Sequence, residues 1–509
     1  MAPLHRRLPA RALPAIALLA LALVPLRAQA PTASIGQRYG RLQLLNVFVI
    51  DGMGNPLRGP LDITIEGSKI LSVQPSRPSE FSGSQLSTAP AARPADRVID
   101  GTGMYVMPGI IDMHGHVQFF RGNTQMPRDY VYKLWLAHGI TTVREPGSSE
   151  GIDTIVAHAR LSDENRINAP TLIPYAFAGA GTPAAARAQV RTLKAKGAQG
   201  LKVLINWPDI WQAIAEEARA QGLPIATDMK IQHLNALDAS RLGVRSIEHW
   251  YGIPDAAIGG RQDWPDSYNY DNELDRFRWA GDLWRQADPK RLSDVIDTMI
   301  AHKVTWDPTF AIYDANRDLT RARTQPWLRD YALPTLLEHF EADPARHGSY
   351  FFEWTTGDEV RWRNNYAIWM RWVREFARRG GNVTVGSDAG FIWQLYGFCT
   401  IRELEMQQEA GFHPLEVIQH ATYNGAQALG LTSTGVVREG YDADLLLVDA
   451  NPLHNFKVLY GTGVDVAEGG KMVHKGGVKF TIKKGIVFDA EALRADLRET
   501  VRKAREVPR

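Results

Sequence analysis

The sequence has very little cysteine, with Cys399 as its single example. One cysteine cannot form a disulfide within the chain or supply the thiolates of a cysteine-based zinc site. An excess of one charge sign is also missing, because 58 Lys and Arg residues face 56 Asp and Glu residues and the net charge is +2. The basic surface typical of nucleic-acid binders is therefore absent, and we predict no nucleic-acid partner.

The apolar run at residues 15–24 is too short to cross a bilayer as a mature helix. Arginines precede it, and Ala28-Gln-Ala30 follows it with the small-x-small pattern of a cleavage site. We therefore predict a signal peptide at residues 1–30, a periplasmic or secreted protein, and no membrane contact after cleavage. Pro31 disfavours cleavage directly before it. The alternatives to an ordinary cleaved signal peptide are a twin-arginine export signal at Arg6-Arg7 and an uncleaved membrane anchor.

Short β-rich segments with glycine-containing turns occupy both ends of the remaining chain, for example residues 46–50, 63–65, 443–448 and 479–482. They predict a small composite β-sandwich domain built from residues 31–107 and 432–509. The middle alternates strand and helix patterns, with strands at residues 139–143, 200–205, 223–227, 244–249, 304–306 and 382–386. About eight such units favour an α/β fold, a (β/α)8 TIM barrel at residues 108–431.

Tryptophan is concentrated between residues 262 and 374, where the strand spacing is also looser. We interpret this stretch as a helical insertion that covers the barrel mouth. Ordinary packing of a large helix pair is an equally good interpretation, since tryptophan is more often structural than ligand-contacting.

Two histidines, His114 and His116, end an apolar strand-like run at residues 106–113. Residues i and i+2 of a strand point to the same side, so both imidazoles face one point. Paired imidazoles suit a divalent metal of the zinc type, although a His-x-His pair alone is weak evidence.

Further polar residues stand at the ends of later predicted strands, where barrel proteins collect their functional groups. These residues are Lys202, Asp228, His249 and Asp388. Together with the histidine pair they offer nitrogen and oxygen ligands for one or two divalent ions, most simply Zn²⁺, which would lower the pKa of bound water and create a hydroxide nucleophile.

At these motifs the chain resembles the amidohydrolase superfamily, and in particular its imidazolonepropionase-like and Xaa-Pro dipeptidase-like branch. The matching segments lie at residues 107–116, 139–144, 246–249, 386–388, 421–426 and 440–448. The resemblance implies a (β/α)8 barrel with a composite β-sandwich. It also implies that His114, His116 and Asp388 hold a first metal, that His249 holds a second, and that Lys202 bridges them as a carbamate.

One position departs from the family pattern, because Asp228 stands where the fifth strand usually ends in a histidine. Three interpretations remain open. In the first, Asp228 is a ligand of a two-metal site, and in the second, the site holds one metal while a pair between Asp228 and Lys230 fills the position of the other. In the third, the alignment has slipped at this position or the site has lost activity.

The resemblance implies an enzyme, a metal-dependent hydrolase of amide C–N bonds in a small-molecule substrate of the dipeptide or N-acyl amino acid class. Asp388 would be the catalytic base that moves the proton to the leaving nitrogen. The alternatives are a cyclic-amide or lactone hydrolase, a deaminase, or a non-catalytic binding protein whose barrel has lost hydrolase activity. We expect a homo-oligomer, and the sequence leaves the number of subunits open.

Arg144 and Tyr251 are candidates to bind a substrate carboxylate, and each could equally be a structural partner. The remaining histidines His138, His233, His302 and His413 lack a strand-end position, and we interpret them as structural or surface residues.

Overall fold

The computed structural model describes residues 36–76, 94–121, 124–204, 207–229, 234–259, 263–269, 271–346, 348 and 350–506. They belong to one compact unit, Ala33–Arg509. The predicted signal peptide, Lys230 and His233 lie outside the described residues. None of the described helices is both long and apolar enough to cross a membrane.

The strands of the N-terminal part are β1 (Gln37–Arg38), β2 (Arg41–Val49), β3 (Arg58–Glu66), β4 (Lys69–Pro75), β5 (Arg97–Asp100) and β6 (Tyr105–Pro108). Those of the middle are β7 (Ile110–Asp112), β8 (Phe120–Arg121), β9 (Thr124–Gln125), β10 (Ile140–Glu145), β11 (Thr171–Ala178), β12 (Gly200–Val203), β13 (Ile225–Thr227), β14 (Ser246–Glu248), β15 (Thr305–Asp307) and β16 (Asn382–Val383). The C-terminal strands are β17 (Leu445–Val448), β18 (Val464–Glu468), β19 (Lys471–Lys475), β20 (Phe480–Lys483) and β21 (Ile486–Asp489).

The first helices are α1 (Tyr130–Leu136), α2 (Ile152–Asp163), α3 (Pro183–Ala195), α4 (Pro208–Ala220), α5 (Ala236–Leu242), α6 (Glu273–Arg278), α7 (Ala280–Gln286) and α8 (Pro289–Ala301). They are followed by α9 (Asp314–Arg317), α10 (Leu319–Arg323), α11 (Leu328–Tyr331), α12 (Pro334–Phe340) and α13 (Thr356–Arg378). The last are α14 (Phe398–Glu409), α15 (Pro414–Gln419), α16 (Gly425–Leu429) and α17 (Ala490–Glu506).

A mostly antiparallel sheet joins the two ends of the described chain in the order β1-β21-β20-β17-β6-β2-β3-β4, with β5 beside β2. Leu42 and Leu44 of β2 and Leu445 and Leu447 of β17 lie in one buried apolar cluster, because alternate residues of a strand share a face. This sheet confirms the predicted β-domain assembled from both termini. The strands β18 and β19 are an exception, since they pair with each other in a separate two-stranded sheet.

The second large sheet consists of eight parallel strands in chain order, namely β7, β10, β11, β12, β13, β14, β15 and β16. The backbone N–H of Met113, just after β7, donates to the carbonyl of Val385, just after β16, at 2.8 Å. The first and last strands therefore meet, which confirms the predicted (β/α)8 barrel.

Capping residues fix where the connecting helices begin and end. Thr182 caps α3 by accepting a hydrogen bond from the backbone N–H of Ala185, and Asn235 and Asp238 form a capping box at α5. Gly243, with φ 84°, ends α5 in the left-handed conformation that glycine adopts without strain. The strand β14 begins shortly after this helix end, and His249 directly follows β14 at the end of the barrel.

The tryptophan-rich stretch at residues 262–374 contains a barrel strand, β15, which divides its helices into two groups. The helices α6, α7 and α8 precede β15, and α9 to α13 follow it. Trp284, Trp306, Trp362 and Trp369 are fully buried. For these four side chains, packing is therefore the interpretation that the structure supports.

Candidate metal centre

The six side chains that the sequence predicted as metal ligands lie at one end of the barrel, on the carboxyl-terminal side of its strands. His114 and His116 follow β7, Asp228 follows β13, His249 follows β14, Asp388 follows β16, and Lys202 lies within β12. Because parallel strands all end at the same rim, residues far apart in sequence are brought close together there.

Asp388 lies at the centre of this group. Its Oδ1 atom is 3.1 Å from His116 Nε2 and 3.6 Å from His114 Nε2. Its Oδ2 atom is 3.7 Å from His249 Nε2. Donor atoms of His114, His249 and Asp388 all lie within 4.8 Å of one another. Three imidazole nitrogens thus surround the carboxylate of Asp388, and those of His114 and His249 lie close enough to it to share a divalent cation.

Asp228 joins the group on the side of His249, because its Oδ2 atom is 3.5 Å from His249 Nε2. The ring nitrogen of His249 therefore faces two carboxylates, those of Asp228 and Asp388. A carboxylate here adds negative charge where the family usually has a neutral imidazole, which favours a cation between the two acids.

The amine of Lys202 is buried and has no hydrogen-bond partner among the described residues. Burial lowers its pKa, while the charges of Glu248 and Asp228 act in the opposite direction. A buried amine without a hydrogen bond is costly to retain, and such an amine is suited to binding or modification at the site. Together with the converging imidazoles, this amine fits a centre that holds divalent metal.

Two of these residues have backbone conformations that are unusual for their type. His249 has φ 60° and Asp388 has φ 49°. Left-handed backbone at a non-glycine residue costs about 1–3 kcal/mol, and it is concentrated at functional sites. Glu248 faces the barrel interior, and simple alternation along the strand would turn the next side chain outward. The left-handed conformation of His249 turns its side chain inward as well.

Glu248 orients His114 and was missed by the sequence analysis. Its Oε2 atom is 2.9 Å from His114 Nδ1, so that Nδ1 carries the hydrogen and Nε2 presents its lone pair to the site. Burial lowers the pKa of His114 to about 3, which keeps the ring neutral as a metal ligand must be. Arg144 and Ser246 hold Glu248 in turn, with contacts of 2.5 and 2.7 Å.

Glu145 performs the same task for His116, and it too was missed. Its Oε1 atom is 3.3 Å from His116 Nδ1 and accepts a hydrogen bond from the backbone N–H of Gly147 at 2.9 Å. Burial opposes the charged form of His116, but hydrogen bonds with Asp388 and Glu145 outweigh it and raise the pKa of His116 to about 9. This part of the site therefore attracts positive charge.

The carboxyl group of Asp388 is ionised at neutral pH. Burial works against its charge, but the neighbouring rings of His114, His116 and His249 hold its pKa well below the usual range. Gly386, two residues before it, is required by space, since a Cβ atom there would lie 2.1 Å from Asp307 Oδ2. The Gly-Ser-Asp sequence thus lets the chain pass close to β15 before it presents Asp388.

Thr309 fixes the third histidine. His249 Nδ1 lies 2.5 Å from Thr309 Oγ1, and the same hydroxyl donates to the carbonyl of Pro308 at 2.7 Å. The hydroxyl therefore accepts from Nδ1–H, and Nε2 of His249 faces the two carboxylates.

Replacement of Thr309 by valine removes this hydrogen bond without a large change of shape. We expect the affinity for divalent metal to fall about 10–100-fold, as it does when such supporting contacts are lost. Competition with a chromogenic chelator measures this dissociation constant. Thr309→Ser, which retains the hydroxyl, is the matched control, and equal affinity in the valine variant would contradict the role of Thr309.

The two residues predicted as carboxylate binders are both buried, and Arg144 has structural partners. Arg144 is fully buried and donates to the carbonyl of Met113, to Ser246 and to Glu248. Tyr251 is also buried, and its ring lies 4.0 Å from that of Trp250 and edge-on to that of His249. Of the other histidines, His138 is buried against the carbonyl of Leu134, which agrees with a structural role.

A model of the amidohydrolase family matches residues 105–487. The chain belongs to this family, whose members depend on metal ions. It is 30% identical to adenine deaminase 2 of Rhizobium etli over 36% of this chain and 29% of the relative. The chain spans about half or less of the length of the curated relatives that it matches first.

Solved structures of the same architecture cover both the barrel and the β-domain. A Xaa-Pro dipeptidase crystallised with methionine in its active site has a TM-score of 0.58 at 18% identity, with 88% of this chain and 100% of that chain covered. Aspergillus niger ochratoxinase has a TM-score of 0.58 at 16% identity, with 89% and 96% covered. These similarities show the shared fold.

Proposed function

We propose that this protein is a hydrolase that cleaves an amide C–N bond in a small substrate of the dipeptide or N-acyl amino acid class with the help of divalent metal. The observation that carries the proposal is the position of Asp388, whose two oxygens lie 3.1–3.7 Å from the Nε2 atoms of three histidines. Membership of the amidohydrolase family and the prolidase-like fold support the same reaction class.

His114, His116, His249 and Asp388 would hold the metal, with Asp228 and Lys202 beside them. A bound divalent ion would polarise the substrate carbonyl and lower the pKa of water. With metal in place of any hydrogen on Nε2, the three imidazoles would keep the hydrogen on Nδ1, which Glu248, Glu145 and Thr309 accept, and would present Nε2 to the site.

Asp388 is suited to the proton transfer of this reaction. Its carboxylate is ionised and is among the more exposed members of the group, with 15% of its side chain accessible against 2% for His114. It can accept a proton from the attacking water and then deliver it to the leaving nitrogen. The reaction consumes one water and yields a carboxylic acid and an amine.

A panel of dipeptides and N-acyl amino acids tests the proposal, with release of the free amine measured by a ninhydrin-type assay. Hydrolysis of at least one of them by the metal-loaded protein, and its loss after metal chelation, is expected. Absence of turnover across the panel would contradict the proposed substrate class.

A deaminase is the second candidate, because relatives named adenine deaminase match the chain at 23–30% identity. Deamination of a purine ring also breaks a C–N bond, and the same metal ligands would serve it. Ammonia release from adenine, compared with amine release from the amide panel, separates the two candidates.

We propose that Asp228 acts as a metal ligand, so that the centre holds two ions. Its Oδ2 atom faces the same His249 nitrogen as Asp388 does, which places a second acidic donor on that side of the group. The competing interpretation with Lys230 concerns a residue outside the described part of the chain.

Substitution of Asp228 distinguishes one ion from two. We expect about two metal ions per chain in the unchanged protein and in Asp228→His, which carries the residue usual in the family. Asp228→Asn keeps the size but removes the charge, and we expect about one ion per chain. Inductively coupled plasma mass spectrometry gives the stoichiometry, and two ions in the asparagine variant would refute the ligand role.

A further inference from the structure

Exposed aromatic side chains are concentrated at the barrel rim that carries the metal centre. Among the described residues, the exposed phenylalanine and tryptophan side chains are Phe120, Phe177 and Trp207, at 52%, 43% and 61% exposure. Phe120 lies in β8 after the histidine pair, Phe177 near the end of β11, and Trp207 directly before α4. Three large apolar rings in water on the same rim indicate a surface that binds something apolar.

Phe177 belongs to the interior face of the barrel. Tyr175, two residues earlier, is buried, and its ring lies 5.5 Å from the guanidinium of Arg144, whose contacts with Ser246 and Glu248 place it inside the barrel. Because side chains alternate along a strand, Phe177 shares this face. Its register partner on β12 is Lys202, so the ring lies beside the metal centre at the top of the barrel interior.

The accessible side of the centre is the side of His116 and Asp388. Their side chains are 13% and 15% exposed, whereas those of His114 and His249 are 2% exposed. A substrate therefore approaches past His116, the most exposed of the three imidazoles.

Phenylalanine rings flank this approach. The Phe177 ring packs on Gly147, where an added Cβ would lie 2.8 Å from it. Gly147 in turn donates its N–H to Glu145, the partner of His116. Phe391 meets His116 edge-on, with ring centroids 6.3 Å apart.

We propose that Phe177 is a specificity-determining residue that packs against a large apolar or aromatic side chain of the substrate, next to the scissile bond. This inference rests on the proposed amide hydrolysis and names its substrate class more narrowly. A ring that is 43% exposed beside a reaction centre gains free energy only when an apolar group covers it. Small or charged side chains leave the ring in water and bind less tightly.

Two substrates that differ only in the side chain test this inference, namely N-acetyl-phenylalanine and N-acetyl-alanine. We expect a higher kcat/KM for the phenylalanine compound, and we expect Phe177→Ala to lower that value roughly tenfold through KM, with little change for the alanine compound. Met472→Ala is the matched control, since Met472 is 69% exposed on the β18–β19 hairpin and lies outside the site. The metal content of each variant reports whether the centre is intact, and Phe177→Leu, expected to be intermediate, serves if the alanine variant does not fold.

The outcomes separate this inference from the function on which it rests. Hydrolysis of both compounds with no preference, unchanged in Phe177→Ala, overturns the role of Phe177 and leaves amide hydrolysis standing. If neither compound is hydrolysed, the full panel of dipeptides and N-acyl amino acids decides the proposed substrate class, and calorimetric binding of N-acetyl-phenylalanine decides the role of Phe177. Binding that Phe177→Ala weakens roughly tenfold supports the role, whereas absent or equal binding overturns it.

Discussion

Replacement of Asp388 by asparagine is expected to lower kcat by about 10²–10⁴-fold, the usual contribution of a positioned general base. The amide has nearly the same shape and keeps an oxygen that can face the histidines, so we expect the ion that His114 and His116 bind to be retained. It cannot accept the proton of the attacking water, since an amide, unlike the ionised carboxylate of Asp388, is not basic near neutral pH.

Steady-state kinetics on a substrate found in the panel, together with metal analysis of the same preparation, measures both quantities. Asp297→Asn is a suitable control, because Asp297 is an exposed carboxylate on α8 that pairs with Arg379 away from the barrel mouth. Near-normal kcat in Asp388→Asn with metal present would remove Asp388 as the base.

Replacement of Arg144 by methionine is expected to destabilise the folded protein by about 3–5 kcal/mol, because it removes one partner of a buried ion pair. Arg144 Nη2 lies 2.5 Å from Glu248 and 3.7 Å from Asp307, and all three side chains are buried. The Arg144 charge holds the pKa of Glu248 well below its usual range although burial raises it, so that the variant would leave a buried carboxylate without its guanidinium partner.

Denaturant unfolding followed by tryptophan fluorescence gives the change in the free energy of unfolding. Arg191→Met is the matched control, since Arg191 pairs with Glu217 at 2.8 Å on the surface, where such pairs contribute less than about 1 kcal/mol. Equal losses in the free energy of unfolding of the two variants would contradict the larger contribution of the buried pair between Arg144 and Glu248.

The barrel and the gathering of ligands could be predicted from sequence because both depend on short-range patterns. The i, i+2 spacing of His114 and His116 directs both rings to one side, and the alternation of strands and helices predicts a common rim. His249 and Asp388 were found because each directly follows a short apolar strand pattern.

The supporting residues were harder to predict, because their partners lie far away in sequence. Glu248 directly precedes His249, and simple alternation would direct the two side chains to opposite faces. The left-handed backbone of His249, with φ 60°, directs both side chains to the barrel interior. The residue type alone does not predict this conformation. Thr309 contacts His249 across 60 residues through a hydroxyl that resembles many others in the chain.

One signal in the sequence could have identified the buried ion pair of Arg144 and Glu248 beside the metal centre. Arg144 and Glu248 are charged residues within apolar barrel strands, where a charge requires a partner of opposite sign. Pairing the two would have assigned Arg144 its structural role instead of that of a carboxylate binder. Glu145 carries the same signal, since it ends the second barrel strand and is fully buried.

Phe177 shows how the substrate side of the site depends on three-dimensional context. In sequence it is one more apolar residue of a strand that is otherwise buried. Only the register with Lys202 and the 43% exposure of its ring reveal that it faces the reaction centre.

The central claim is that the imidazoles of His114 and His116 and the carboxylate of Asp388, which comes from a distant segment, hold a common cation. Crystals of the metal-loaded protein, with anomalous diffraction recorded at the absorption edge of the added metal, test it most directly. We predict an anomalous peak about 2.0–2.2 Å from Nε2 of His114 and of His116 and from a carboxylate oxygen of Asp388. Strong anomalous density elsewhere, with these side chains not bound to metal in the loaded protein, would contradict it.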